Sequence, residues 1–204
     1  MNKYLTEFIG TLFLVMGAAL GGAVGASLAL MVMIYAGGHI SGAHYNPAVT
    51  LAVWMRGKVE MKDAIMYWIA QIAGAVVAAL LVTYLFDKGN PGDCADLPSG
   101  STNTRAIVAE LLGTFALAYV VLNVATAKGT SGNSFYGLAI GGTVLAMATA
   151  LGQFSGGAFN PAVAIGLCVT KAICWQNIWI YLVGCLGGGA LAAIIFSLNN
   201  PDDK

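Results

Sequence analysis

Charged residues are scarce in this sequence, and their scarcity excludes most soluble protein classes. Only 9% of the 204 residues are charged, and nine basic side chains balance nine acidic ones. Soluble globular domains carry about 25% charged residues. No basic cluster is present either, so we expect no nucleic acid partner.

Histidine and cysteine are also few, which argues against a metal site or a cofactor. The chain has two histidines and four cysteines, and no two cysteines have CxxC spacing. We interpret Cys94, Cys168, Cys174 and Cys185 as small apolar packing residues rather than as a disulfide framework. No nucleophile–base pair appears in the loops discussed below, so we do not expect an enzyme.

Long hydrophobic runs, in contrast, dominate the chain, which is 58% hydrophobic. About 20 apolar residues suffice for a helix that crosses a ~30 Å hydrocarbon core. The runs predict six spanning helices, at about 4–20, 23–38, 62–86, 106–126, 134–152 and 175–197. The first run has no cleavage site, so we expect it to be retained, and the short link at Gly21-Gly22 makes it antiparallel to the second.

The tripeptide Asn-Pro-Ala occurs twice, at Asn46-Pro47-Ala48 and at Asn160-Pro161-Ala162. Asn is a favoured N-cap and Pro suits the first helical position, so each tripeptide predicts a helix start. The apolar runs that follow, near 46–56 and 160–170, predict helices of roughly 15 Å, about half of the hydrocarbon core.

The chain repeats itself at longer range as well. The stretch Thr6–Phe13 matches Ala109–Ala116, and the two tripeptides stand 114 residues apart. We predict a first repeat over 1–86, a connecting loop over 87–105 and a second repeat over 106–204. Each repeat has three spans, so the second is inverted. The predicted fold is an all-α membrane protein with six transmembrane helices and two re-entrant half-helices in two inverted repeats.

The placement of lysine and arginine predicts the orientation, because cytoplasmic loops are rich in these residues. Six basic residues fall on one side and three on the other, which puts both termini in the cytoplasm. We expect the chain to lie in the plasma (or inner) membrane. The larger group is Lys3, Arg56, Lys58, Lys62, Lys128 and Lys204, and the smaller is Lys88, Arg105 and Lys171.

The irregular, glycine-rich backbone before each tripeptide predicts a pore. Such backbone is tolerated inside a bilayer only where it is buried in protein or lines a water-filled cavity. Half-helices that meet N-terminus to N-terminus would bring the Asn46 and Asn160 amides to the centre as donors. The positive ends of the two helix dipoles would repel protons and cations, while neutral hydroxyl-bearing solutes would be accepted.

Four polar residues are predicted to hold the loops in place. Glu7 and Glu110 lie inside spanning helices, where an ionisable group is functional by default. Because they are placed symmetrically, we favour acceptors for the loops over a proton relay. We expect Gln71 to bond the same loop backbone. His44 is assigned to loop scaffolding, with pH gating as the alternative.

With these motifs, the sequence resembles the aquaporin (major intrinsic protein) family over nearly its whole length. The resemblance rests on both tripeptides, both Glu-containing helices and the stretch 41–49. It implies a homotetramer in membrane lipid, in which each protomer has its own pore for water and small neutral solutes. Two alternatives stay open: a structural junction protein, and a secondary transporter, which would need carboxylates or ion ligands at the midplane, where asparagines stand.

The sequence departs from this family at the selectivity filter. Aquaporins usually place an arginine three residues after the second Asn, where this chain has Val163; family spacing puts the other filter positions at Ala26, Ala148 and Gly157. This small, apolar set resembles the arginine-free filter of plant tonoplast intrinsic proteins. We expect a wide filter, a narrowest point at the two asparagines, and passage of ammonia, urea or glycerol. If water passes and these larger solutes do not, the connecting loop is expected to fill the filter, with Arg105 as the candidate replacement cation.

Overall fold

The computed structural model describes residues 1–86 and 94–203, and this part of the chain contains helices and no strand. A π-helical turn, Leu122–Thr126, continues α4, and 3₁₀ turns occur at Lys128–Thr130 and Trp175–Asn177. The α-helices are α1 Asn2–Ser41, α2 Pro47–Met55, α3 Met61–Phe86, α4 Asn103–Val121, α5 Tyr136–Ser155, α6 Pro161–Val169 and α7 Ile178–Asn199.

Helix α1 is two antiparallel helices joined at Gly22, which has φ +56° and ψ −140°. Gly17 and Gly25 would be about 12 Å apart along an uninterrupted helix. Instead, a β-carbon on Gly17 would lie 2.5 Å from the carbonyl oxygen of Gly25. The chain therefore reverses at the tip, and only glycine suits both the positive φ and the close approach.

Five helices of the described chain are long and apolar enough to span a membrane. They are α1, α3, α4 with its π-helical extension, α5, and α7 with the turn before it. Because α1 folds back on itself, the described residues form six spans, as the hydrophobic runs predicted. The short helices α2 and α6 have nine residues each.

The helices form two groups, and the short helix of each group packs against a spanning helix of the other group. Helix α1 packs on α3 and α4 packs on α7, whereas α2 lies against α7 and α6 against α3. A β-carbon on Gly74 would overlap the Phe8 carbonyl of α1. One on Gly188 would overlap the Leu111 carbonyl of α4 in the same way. Small residues at crossings let helix backbones approach closely, which is how helices commonly pack in lipid.

The prediction that all four cysteines are packing residues is wrong for two of them. Cys94 and Cys174 form a disulfide across 80 residues of sequence, while Cys168 and Cys185 are free and buried. The segment after Cys94 folds back onto the link between α6 and α7. There Ala95 exchanges backbone hydrogen bonds with Lys171 and Cys174. Spacing alone does not reveal a pair so far apart in sequence.

Polar contacts distinguish the two ends of the molecule. At one, the termini end, Arg56 forms a 2.7 Å ion pair with Asp203, which also accepts a hydrogen bond from the Lys128 backbone N–H. The other, the disulfide end, carries Cys94 and Cys174.

The predicted linker 87–105 includes 87–93, and these residues, with the orientation assignments of Lys88 and Lys204, lie outside the described residues. The described part of the linker reaches α4 at Asn103, three residues before the predicted start of the second repeat.

Candidate functional site

Two matching loops connect the spanning helices to the short ones. Helices α1 and α5 end at Gly42 and Gly156, which have φ near +84° and +88°. Further along, Tyr45 and Phe159 also adopt left-handed backbone, with φ +50° and +48°. Such conformations cost non-glycine residues roughly 1–3 kcal/mol each, so the surrounding contacts must hold both loops in place.

Glu7 supplies those contacts to the first loop. Its buried carboxylate accepts from the backbone N–H groups of His44 and Tyr45, at 2.9 and 2.7 Å. It also accepts from the Ser41 hydroxyl at 2.7 Å and the Gln71 amide at 2.8 Å. Two consecutive backbone donors on one carboxylate stabilise the left-handed turn at Tyr45 through charge-assisted hydrogen bonds.

Glu110 holds the second loop in the same way. It accepts from the backbone N–H groups of Ala158 and Phe159, at 3.0 and 2.7 Å, and from the Ser155 hydroxyl at 2.7 Å. Its fourth donor is the thiol of Cys185, at 3.3 Å. The two carboxylates thus make equivalent contacts, except that a thiol replaces an amide.

The expectation that Gln71 bonds the loop backbone needs correction. Its amide nitrogen donates to Glu7 and, at 3.0 Å, to the hydroxyl of Thr50 in α2, because Glu7 already occupies the backbone N–H groups. Its carbonyl oxygen is buried without a partner. His44 completes the cluster, since its Nδ1 lies 3.1 Å from the Thr50 hydroxyl.

The two asparagines connect the loops to each other. Each caps its own short helix, with its side-chain oxygen accepting from Ala48 N–H at 2.8 Å or Ala162 N–H at 2.9 Å. Each also donates to the other loop: Asn46 to the Phe159 carbonyl and Asn160 to the Tyr45 carbonyl, both at 2.9 Å. An amide NH₂ has two hydrogens, so one donor of each asparagine is left for the interior.

That interior is a cavity of about 110 Å³, lined by Asn46 and Asn160 and otherwise mostly by apolar side chains. All four predicted filter residues, Ala26, Ala148, Gly157 and Val163, line it, and so does His44. Pro47, Ala48, Pro161 and Ala162 lie behind the asparagines, buried in the first turns of the short helices.

The described residues of the connecting loop place no cation at the filter. Arg105 is exposed at the start of α4, where its guanidinium donates to the Gly100 carbonyl at 3.1 Å. It is not among the residues that line the cavity. Arg105 therefore does not replace the missing filter arginine.

Three features of the site escaped the sequence reasoning: the crossed asparagine bonds, the serines Ser41 and Ser155, and Cys185 as a partner of Glu110. The serines carried a signal, since each directly precedes the glycine that ends its helix, at matching positions. The crossed bonds carried none, because they depend on the opposed approach of the two loops.

Spanning helices around a cavity lined by two asparagine amides are the architecture of a membrane channel. The profile of the major intrinsic protein family matches residues 16–196, and the chain belongs to that family. It is accordingly an integral membrane protein and a passive channel for water and small solutes, not an enzyme.

Known relatives agree with this assignment. The chain is 38% identical over 174 residues to aquaporin TIP1-2 of Zea mays, covering 84% of this chain and 67% of that one. It is 37% identical over 218 residues to probable aquaporin TIP2-2 of Arabidopsis thaliana, covering 96% and 86%. It shares its fold with the aquaglyceroporin from Plasmodium falciparum, with a TM-score of 0.84, 22% identity, and coverage of 98% and 97%.

Proposed function

We propose that the channel passes water together with ammonia, urea and glycerol, and excludes protons and ions. The observation that carries this proposal is a cavity lined by the side-chain amides of Asn46 and Asn160, with small apolar residues at the four filter positions and no lysine or arginine among the described lining residues. Pore width and lining donors set selectivity in such channels. Without an arginine, no guanidinium narrows the filter or competes for the hydrogen bonds of neutral solutes slightly larger than water.

Proton exclusion is proposed to depend on the short helices. Asn46 and Asn160 cap the N-termini of α2 and α6 and line the cavity, so two positive dipole ends lie beside it. This repulsion does not need residue 163 to be an arginine. Proteoliposomes loaded with a pH-sensitive dye test the idea, and proton conductance well above that of empty vesicles would refute it.

Solute passage is tested by swelling of the same vesicles in gradients of glycerol, urea and ammonia. We expect each flux to exceed that of empty vesicles and to rise linearly with concentration. Saturating flux would favour the alternative, a secondary transporter. Brisk water flux with exclusion of all three solutes would refute the proposed selectivity.

The proposed orientation has both termini in the cytoplasm. Two features support it: basic residues are more numerous at the termini end, and the disulfide between Cys94 and Cys174 suits an oxidising compartment on the other side. We propose the plasma membrane as the location, with an internal membrane, suggested by the TIP relatives, as the alternative. Protease protection and imaging of a tagged chain test both points.

A homotetramer is proposed from the family resemblance. Many large apolar side chains on α1, α3, α5 and α7 are exposed on the outer surface of the single chain, and neighbouring protomers or lipid would cover them. Mass measurement of the protein in native nanodiscs would decide the number of protomers.

A further inference from the structure

The internal repeat relates the filter residues to a second set of residues at the termini end. The 114-residue offset between the two asparagines pairs Ala26 with Ile140, and Ala148 with Ile34. In each pair, an alanine at the disulfide end corresponds to an isoleucine at the termini end. The other filter positions, Gly157 and Val163, pair with Ala43 and Val49, so their side-chain sizes change little.

All eight of these residues line the same central cavity. A second cavity opens at the termini end and is lined by the turns that follow α4, including Lys128. Ile34 and Ile140 line both cavities. The two isoleucines therefore stand at the junction where the central cavity and this second cavity adjoin.

Both isoleucines are held in place by packing. Ile34 is 3% exposed and Ile140 4% exposed, whereas Ala26 and Ala148 are only partly buried. Neither isoleucine side chain can donate or accept a hydrogen bond. A solute that touches these two side chains therefore gives up water contacts that they do not replace.

We propose that Ile34 and Ile140 form the constriction that sets the size limit of this channel, in place of the filter at the disulfide end. An apolar constriction opposes strongly hydrated solutes and ions through dewetting, and admits small neutral ones. The constriction lies towards the termini end, rather than at the asparagines as the sequence suggested. This inference rests on the proposed passage of small neutral solutes.

The test compares the double variant Ile34→Ala/Ile140→Ala with the wild type in proteoliposomes. Enlarging the constriction should raise glycerol and urea permeability several-fold relative to water permeability. The matched control, Val32→Ala/Leu138→Ala, changes side chains of α1 and α5 that are 52% and 59% exposed, and should leave the ratio unchanged. An unchanged ratio in a double variant that melts like this control would overturn the proposal.

Milder variants keep the proposal testable if the double alanine variant does not fold. Ile34→Val and Ile140→Val remove one methyl group each and should raise the glycerol-to-water ratio in smaller steps. Ratios equal to the wild type in both folded single variants would also overturn it. A wild-type protein that passes no glycerol, urea or ammonia would instead refute the proposed function, so the two failures are distinguishable.

Discussion

Substitutions of Glu7 and Glu110 separate a hydrogen-bonding role from a proton-relay role. Each carboxylate accepts four hydrogen bonds, two of them from consecutive backbone N–H groups. A glutamine keeps one acceptor oxygen and gains an NH₂ group that accepts nothing. In either orientation of the amide, one backbone N–H loses its partner, and a leucine removes the partners of both.

The expected losses follow from the number of donors left unpaired. A buried donor without a partner costs about 1–3 kcal/mol, so glutamine should cost about that much and leucine about twice as much. Glu7→Gln should be the milder of the two glutamine variants. The unpartnered oxygen of Gln71 can turn towards the new NH₂, whereas the Cys185 thiol is a weak acceptor.

Thermal unfolding in detergent and osmotic water flux in proteoliposomes measure these effects. Stability should decrease from the wild type through Glu7→Gln and Glu110→Gln to the two leucine variants, and flux should be largely kept in the glutamine variants. The exposed Glu60→Gln substitution is the matched control. A glutamine variant that melts like the wild type but conducts no water would support a relay. Leucine variants that melt like the wild type would refute the hydrogen-bonding account.

Three further predictions concern other parts of the molecule. Val163→Arg should reduce glycerol and urea flux more than water flux in swelling assays, and equal reduction of all three would contradict the assigned filter. Replacing Cys94 and Cys174 by serine should lower the unfolding free energy by about 2–4 kcal/mol, because the disulfide closes a long loop; a melting curve equal to that of the wild type would contradict this. The pKa of Asp203 is lowered, first by the Lys128 backbone N–H and then by a neighbouring guanidinium. A group with a lowered pKa stabilises the fold at pH values above its unfolded-state pKa. This stabilisation is lost as the pH falls through the folded-state pKa. The protection of the Lys128 backbone N–H against hydrogen exchange should therefore decrease only below about pH 4. In Asp203→Asn, this protection should already be lower at neutral pH. Exchange insensitive to both changes would show that Asp203 does not hold this segment.

The spans and the two short helices could be predicted because their signals are local. Length and hydrophobicity mark the spans, and Asn46-Pro47 and Asn160-Pro161 carry cap chemistry in adjacent residues. The break at Gly22 was likewise visible as a glycine pair between two apolar runs. Each of these features depends on a few neighbouring residues and on the solvent around them.

Contacts between distant segments could not be predicted in the same way. The partner of Cys94 depends on how the segment after it folds over the α6–α7 link. The partners of Gln71 depend on Glu7 having already taken the backbone N–H groups. The position of Ile34 and Ile140 depends on two cavities that meet at these side chains. In each case the decisive neighbour is set by tertiary packing rather than by spacing.

The crossed asparagine bonds have a consequence for biosynthesis. The carbonyl that Asn46 binds belongs to Phe159, 113 residues later in the chain. At a synthesis rate of about 5–20 residues per second, that partner emerges on the order of ten seconds after Asn46. Helix α7, on which α2 packs, emerges later still. The first re-entrant segment must therefore stay in the membrane or the insertion machinery without these contacts until the second half of the chain is synthesised.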